Sequence, residues 1–194
     1  MNQRIASWLH KLWLHDSTTY HHSIRVSNMA RRMAAELNLN QEQSQKLVLG
    51  CSLHDIGKIF VPKSILRKSS ALSQNEWELI KQHPIWGNEF LQKEGITNQD
   101  VTSSVLYHHE RLDGTGYPFG LIGSDIPFYA RICSILDAFD CMVSDRPYRK
   151  SISFADAKTE LWKSRNTQFD PYYLTVFLQM CESHFIELYH THEC

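Results

Sequence analysis

A chain of 194 residues supports one domain with a substantial apolar core. Hydrophobic residues make up 42% of it and charged residues 21%, with a formal net charge of -1. No bulk field draws DNA, RNA or an acidic membrane, so a phosphate-bearing ligand needs a local cluster of cations. The cysteines at 51, 133, 141, 181 and 194 are odd in number and show no C-x-x-C spacing. A reduced, cytoplasmic setting is the simplest expectation. No apolar run approaches the roughly 18 residues of a spanning helix. The segment Trp8–Asp16 is amphipathic but too interrupted by charge for a secretory signal.

In chain order, the first element is an N-terminal helix whose Trp8, Leu9, Leu12 and Trp13 pack on the core. Self-association through that face, as a homodimer, is the alternative. Val26, Met29, Met33 and Leu37 continue a helical stripe begun by His22. Asn40, with Gln43 three residues on, reads as a capped start for a helix running to His54, on which Leu47, Cys51 and His54 share a face. A loop follows. Ser73 and Glu76 repeat the capping pattern for a helix carrying Leu79 and Ile80, and Pro84 biases His83 out of helical conformation. Further helices are expected near 85–93 and 99–109. Glycine and proline then mark a long structured loop from Glu110 to Pro127. Helices resume near 128–144, 153–164 and 171–189, the last opened by Asp170-Pro171. No run alternates polar with apolar residues over a strand's length, so the expected fold class is all-α.

Chemistry concentrates on the apolar stripes. His22 and His54 share theirs with core residues, Val101 and Val105 lead by helical steps to His108 and His109, and Asp137 follows Ala130 and Cys133. Asp55 and His83 complete the set. Each alone also reads as a hydrogen-bonded core residue or a turn. Together they place imidazoles and carboxylates inward, where a carboxylate needs a counter-charge and a cation provides one. Mixed imidazole and carboxylate ligands favour Fe or Mn, with Zn or Ni as alternatives, over Mg or Ca. Five histidines and two aspartates exceed one ion's needs. The expected allocation is His22, His54 and Asp137 on one ion, His83, His108 and His109 on a second, and Asp55 bridging.

The stretches HDIGK at 54–58, QHP at 82–84, HHERLDGTGYP at 108–118, LDAFDCMVSDRPYR at 136–149 and TQFDP at 167–171 resemble the HD-GYP family. That resemblance, from about His22 to Gln179, implies an HD-domain helical bundle with a C-terminal helical extension. It implies one domain over 1–194, with an N-terminal helix at 1–16, the core at 17–180, and a helix end and tail at 181–194. The implied activity is hydrolysis of cyclic di-GMP to pGpG, and in some members to GMP, by a hydroxide bridging two divalent ions. The seven ligands match the family's metal residues. Asp55 and Lys58 match catalytic positions, and Lys58, Arg146 and Arg149 match contacts to substrate phosphate, for which ammonium and guanidinium groups are suited. Without the family, Lys58 reads as a turn lysine and the arginines as a solvated helix end. Tyr117 borders the substrate or packs structurally. Glu110 is expected behind the ligands, orienting a histidine, and Asp113 sits with it in a turn.

Relatives with a third metal carry Glu four residues before the first ligand histidine, where this chain has Thr18. Two ions are therefore expected. No sensory domain is recognisable, so a diguanylate cyclase or a sensory protein is a candidate partner. Two other functions remain open on these residues. One is a phosphohydrolase acting on (p)ppGpp, a mononucleotide or a hybrid cyclic dinucleotide. The other is a non-catalytic module that binds cyclic di-GMP or docks onto a diguanylate cyclase.

Overall fold

The computed structural model describes residues 3–145, 150–180 and 189. Helices α1 (Gln3–His15), α2 (Ser17–Glu36) and α3 (Gln41–Leu53) are followed by a 3-10 turn, Ile56–Phe60, and the short α4 (Lys63–Leu66). Then come α5 (Gln74–Ile80), α6 (His83–Lys93), α7 (Gln99–Tyr107), α8 (Phe128–Val143), α9 (Phe154–Lys163) and α10 (Pro171–Gln179). Among the described residues the only β pairings are two isolated bridges, Asp113 with Ile122 and Arg165 with Phe169. The fold is all-helical. No described helix is long and apolar enough to cross a membrane.

The caps form as their side chains dictate. Asn40 accepts from the Gln43 amide at 2.9 Å while Gln43 accepts from the Asn40 amide at 3.0 Å. Ser73 and Glu76 make the same reciprocal pair, and Asp170 accepts from the Tyr172 amide beside Pro171 in the first turn. Asp16 caps α2, accepting from both the amide and hydroxyl of Thr19, and thereby fixes the sharp break after α1.

Among the described residues two apolar cores result. The larger joins Val26, Met29 and Met33 of α2 to Leu47 and Cys51 of α3 and to Ile132, Leu136 and Phe139 of α8. The smaller gathers Trp8, Leu9 and Leu12 of α1 with Leu53, Ile56, Leu91 and Val105. Three expectations need correcting. Trp13 does not enter the core but stands 44% exposed, stacked on His10. His83 is helical, the first residue of α6, because a proline in the first turn has no intrahelical amide bond to forfeit. Helix α10 ends at Gln179, where Met180 turns extended. The remainder of the expected 171–189 helix, apart from Tyr189, lies outside the described residues, as does most of the tail.

One close approach sets the helix that carries His83. A Cβ at Gly57 would lie 1.9 Å from the His83 carbonyl oxygen and 2.6 Å from the Gly87 amide nitrogen. Only glycine lets the 56–60 turn meet α6 backbone to backbone. Gly57→Ala is expected to destabilise the fold by about 1–3 kcal/mol through forced separation of these elements, seen as a lower denaturant midpoint in chemical unfolding.

Candidate metal centre

Most of the seven candidate ligands sit at or just beyond helix ends, and all seven converge. His22 projects from α2 and Asp137 from α8, while His54 caps α3, Asp55 follows it, His83 opens α6, and His108 and His109 follow α7. The side chains of His22, His54, Asp55, His83, His108 and Asp137 are buried, and His109 is half-buried. Their ligand atoms form overlapping groups, within each of which every atom lies within 4.8 Å of the others. One group is Asp55, His83, His108 and His109, another His22, His54 and Asp55. Asp55 belongs to both.

The Asp55 carboxylate divides itself between the two sets. Its Oδ1 lies 3.2 Å from His83 Nε2 and 3.9 Å from His108 Nε2. Its Oδ2 lies 3.5 Å from His54 Nε2 and 3.7 Å from His22 Nε2. Asp137 Oδ1 approaches His22 Nε2 at 3.0 Å and His54 Nε2 at 3.9 Å.

Local backbone aims the imidazoles. The Nδ1 of His54 donates to Cys51 O at 2.7 Å, that of His83 to Ile80 O at 2.7 Å, and that of His108 to Val105 O at 2.9 Å. A carbonyl can only accept, so each Nδ1 carries the proton and each Nε2 presents a lone pair. Yet His83 Nε2 faces His108 Nε2 at 3.2 Å. Two lone pairs at that distance repel unless a cation lies between or beside them. Asp55 Oδ1 is likewise buried without a hydrogen-bond partner. Orphaned acceptors converging on one point are what a divalent ion satisfies. The donor set fits a metal.

The electrostatics agree for His54, His108 and His109, whereas His22 must give up a proton to ligate. Burial depresses His54 and His108, the latter well below its ordinary value, and together with the electrostatic influence of the nearby His83 ring pushes His109 down to about 3. These rings stay neutral and able to ligate. Burial acts to raise Asp55, but Lys58, His54 and His83 hold it well below the usual carboxylate range. Burial would also lower His22, but hydrogen bonds and charge from Asp137 and Asp140 raise it to about 9.

Asp140 is the residue the sequence alone did not single out. Its Oδ2 accepts from His22 Nδ1 at 2.7 Å, and its two oxygens take a forked pair from Arg25 at 2.7 and 2.8 Å. The Tyr189 hydroxyl donates to Oδ1 at 2.6 Å. The available signal was spacing: Asp140 follows Asp137, and Arg25 follows His22, each by one helical step of three.

Glu110 corrects the expectation that it orients a histidine, while Asp113 sits in a turn as read. Glu110 is buried, and its oxygens accept from the amides of Phe119 at 2.7 Å and Leu121 at 3.0 Å. Asp113 accepts from Arg111 and from Thr115, at 2.6 Å from the hydroxyl. Both carboxylates shape the 110–127 loop. Gly116 seats that loop, since a Cβ there would lie 2.6 Å from the His109 carbonyl oxygen. Tyr117 consequently stacks on His109, ring centroids 4.6 Å apart. Lys58 reaches Asp55 Oδ2 at 2.7 Å. Arg146 and Arg149 lie outside the described residues.

Among the described residues the cluster lines two cavities. The larger, about 460 Å³, exposes His22, Asp55, His83 and His109 together with Lys58. The other, about 370 Å³, exposes His108, His109 and Asp137 beside Lys81 and Arg111. Asp140→Asn removes the charge that aligns His22, and is expected to weaken metal affinity about 10–100-fold, as measured by chelator competition on reconstituted protein.

Comparison with known proteins places the chain in a family. Residues 10–172 match the HD domain family. The chain is 39% identical over 150 residues to the cyclic di-GMP phosphodiesterase response regulator RpfG of Xanthomonas campestris, covering 76% of this chain and 39% of that protein. It is 40% identical over 136 residues to 3'3'-cGAMP-specific phosphodiesterase 1 of Vibrio cholerae, covering 70% of this chain and 31% of that one. It thus spans less than half the length of these curated relatives. The fold matches the PgpH HD domain of L. monocytogenes, solved with cyclic-di-AMP, with a TM-score of 0.68 at 20% identity over 95% of this chain and 97% of that one. With its His54-Asp55 pair at the centre of a buried imidazole and carboxylate cluster, the chain belongs to the HD domain family.

Proposed function

We propose that this chain is a metal-dependent phosphodiesterase that hydrolyses cyclic di-GMP to linear pGpG at a pair of divalent ions, iron or manganese. The observation that carries this is the division of Asp55, one oxygen toward His83 and His108 and the other toward His22 and His54. Such a carboxylate suits a bridge between two ions. His22, His54 and Asp137 would hold one ion and His83, His108 and His109 the other. When bound, the pair supplies Lewis acidity to the phosphate and lowers the pKa of water for attack.

The chain's own residues do the rest. The histidines and aspartates enter with fixed orientation, so little reorganisation accompanies the reaction. Lys58 is mostly buried at the wall of the larger cavity and carries a charge directed at the cluster. It orients a phosphate oxygen and neutralises charge that develops there. Arg146 and Arg149 supply further phosphate contacts, and Tyr117, on the face of His109, borders the ligand. Cleavage breaks one P–O3' bond of the cyclic ring, and the released 3' oxygen takes a proton from solvent. The names of the Xanthomonas and Vibrio relatives support a cyclic dinucleotide. The second of them favours a hybrid guanine–adenine ring as the alternative substrate.

Anaerobic reconstitution with Fe(II) or Mn(II), followed by chromatography of products from cyclic di-GMP, 3'3'-cGAMP, cyclic di-AMP and (p)ppGpp, is expected to give pGpG fastest. No hydrolysis with any ion would leave a binding module instead. Asp55→Asn should abolish turnover and Lys58→Ala should lower kcat by about 100-fold, measured on protein of verified metal content.

A further inference from the structure

Trp77 belongs to α5 and is 43% exposed. Exposure alone carries little, because Trp13 and Trp162 are each 44% exposed on the surface. Those two are accounted for: Trp13 stacks on His10, and Arg165 lies 4.4 Å over the Trp162 ring. Trp77 differs in its place. It lines both cavities that open onto the metal cluster, a property it shares only with His109 and Tyr117 among the described residues of those two walls. Its ring stands edge to face with Tyr117 at 6.4 Å, and Tyr117 in turn lies on His109.

The lining of the larger cavity that Trp77 joins has an apolar part and a cationic part. Ile65, Leu66, Ala71 and Leu72 line the larger cavity with it, while Arg67 and Lys68 stand at the same wall. This division matches a nucleotide, whose base has two hydrophobic faces and whose phosphate is anionic. The helix is also pinned at its start. Ser73 and Glu76 close a reciprocal cap at its start, and Lys68 pairs with Glu76 at 2.6 Å. A platform fixed in this way loses little entropy on stacking.

We infer that Trp77 is a base-stacking residue, receiving a purine of the cyclic dinucleotide in the larger cavity while the scissile phosphate lies at the metal cluster. The inference rests on the proposed substrate class and adds to it the residue that reads the base. Stacking on an indole tolerates either purine, so this residue selects for a nucleotide over a simple phosphodiester and leaves guanine against adenine to other groups.

The test compares wild type with Trp77→Ala and Trp77→Phe on cyclic di-GMP and on bis(p-nitrophenyl) phosphate, which carries the bond but no nucleobase. Trp77→Ala is expected to raise KM for the dinucleotide about tenfold with little change in kcat, and Trp77→Phe to recover most of it. Its kcat/KM loss should be about tenfold greater on the dinucleotide than on the base-free ester. Equilibrium dialysis with a phosphorothioate cyclic dinucleotide should show the same weakening in Kd, independently of turnover. Equal losses on both substrates, or a Kd unchanged by Trp77→Ala, would overturn the stacking role while leaving the phosphodiesterase intact. A wild type that cleaves the ester yet neither cleaves nor binds any cyclic dinucleotide would overturn the substrate class, and this assignment with it.

Discussion

A fully buried carboxylate with imidazoles on both sides is the constraint around which this fold is arranged. Asp55 sits where α3 gives way to the 56–60 turn, 1% exposed, with one oxygen lacking any hydrogen-bond donor. Burying such a group costs several kcal/mol unless charge compensates it. Within the chain Lys58 at 2.7 Å supplies that charge, while the Nε2 atoms of His22, His54, His83 and His108 close around the carboxylate from four parts of the fold. The helices therefore have little freedom to slide. A shift along α2 or α8 would move His22 or Asp137 out of reach and strand the carboxylate.

Behind the cluster lies a second arrangement of opposite logic. Asp140, fully buried, is completely partnered, by His22, by the fork of Arg25 and by Tyr189. Its charge is balanced within the protein and its geometry is rigid. The contrast separates structural from functional polarity: Asp140 gives its acceptors to the chain, and Asp55 leaves one open.

Much of this was legible in the residues. The period of 3.6 put His22 and His54 on stripes with Met29 and Cys51, and all are buried. The capping pairs at Asn40 and Ser73 form as read, because a cap is decided within four residues. Other features depend on long-range docking. Asp140 looks like one more polar helix residue until α2 brings Arg25 and His22 against it across more than a hundred residues. Glu110 holds the amides of Phe119 and Leu121, a role that exists only once the loop has folded back. Trp13 carries a strong apolar signal, yet α1 buries its Trp8, Leu9 and Leu12 edge instead.

The carbonyls that receive the Nδ1 protons of His54, His83 and His108 each lie three residues upstream of the histidine they hold. Each ring is thus oriented by its own stretch of backbone, independently of distant helices. What tertiary assembly adds is the mutual opposition of the Nε2 lone pairs, an electrostatic conflict that the bare polypeptide resolves poorly. An ion that relieves it favours the docked arrangement over every looser one, so occupancy of the centre and cohesion of the whole bundle are thermodynamically linked.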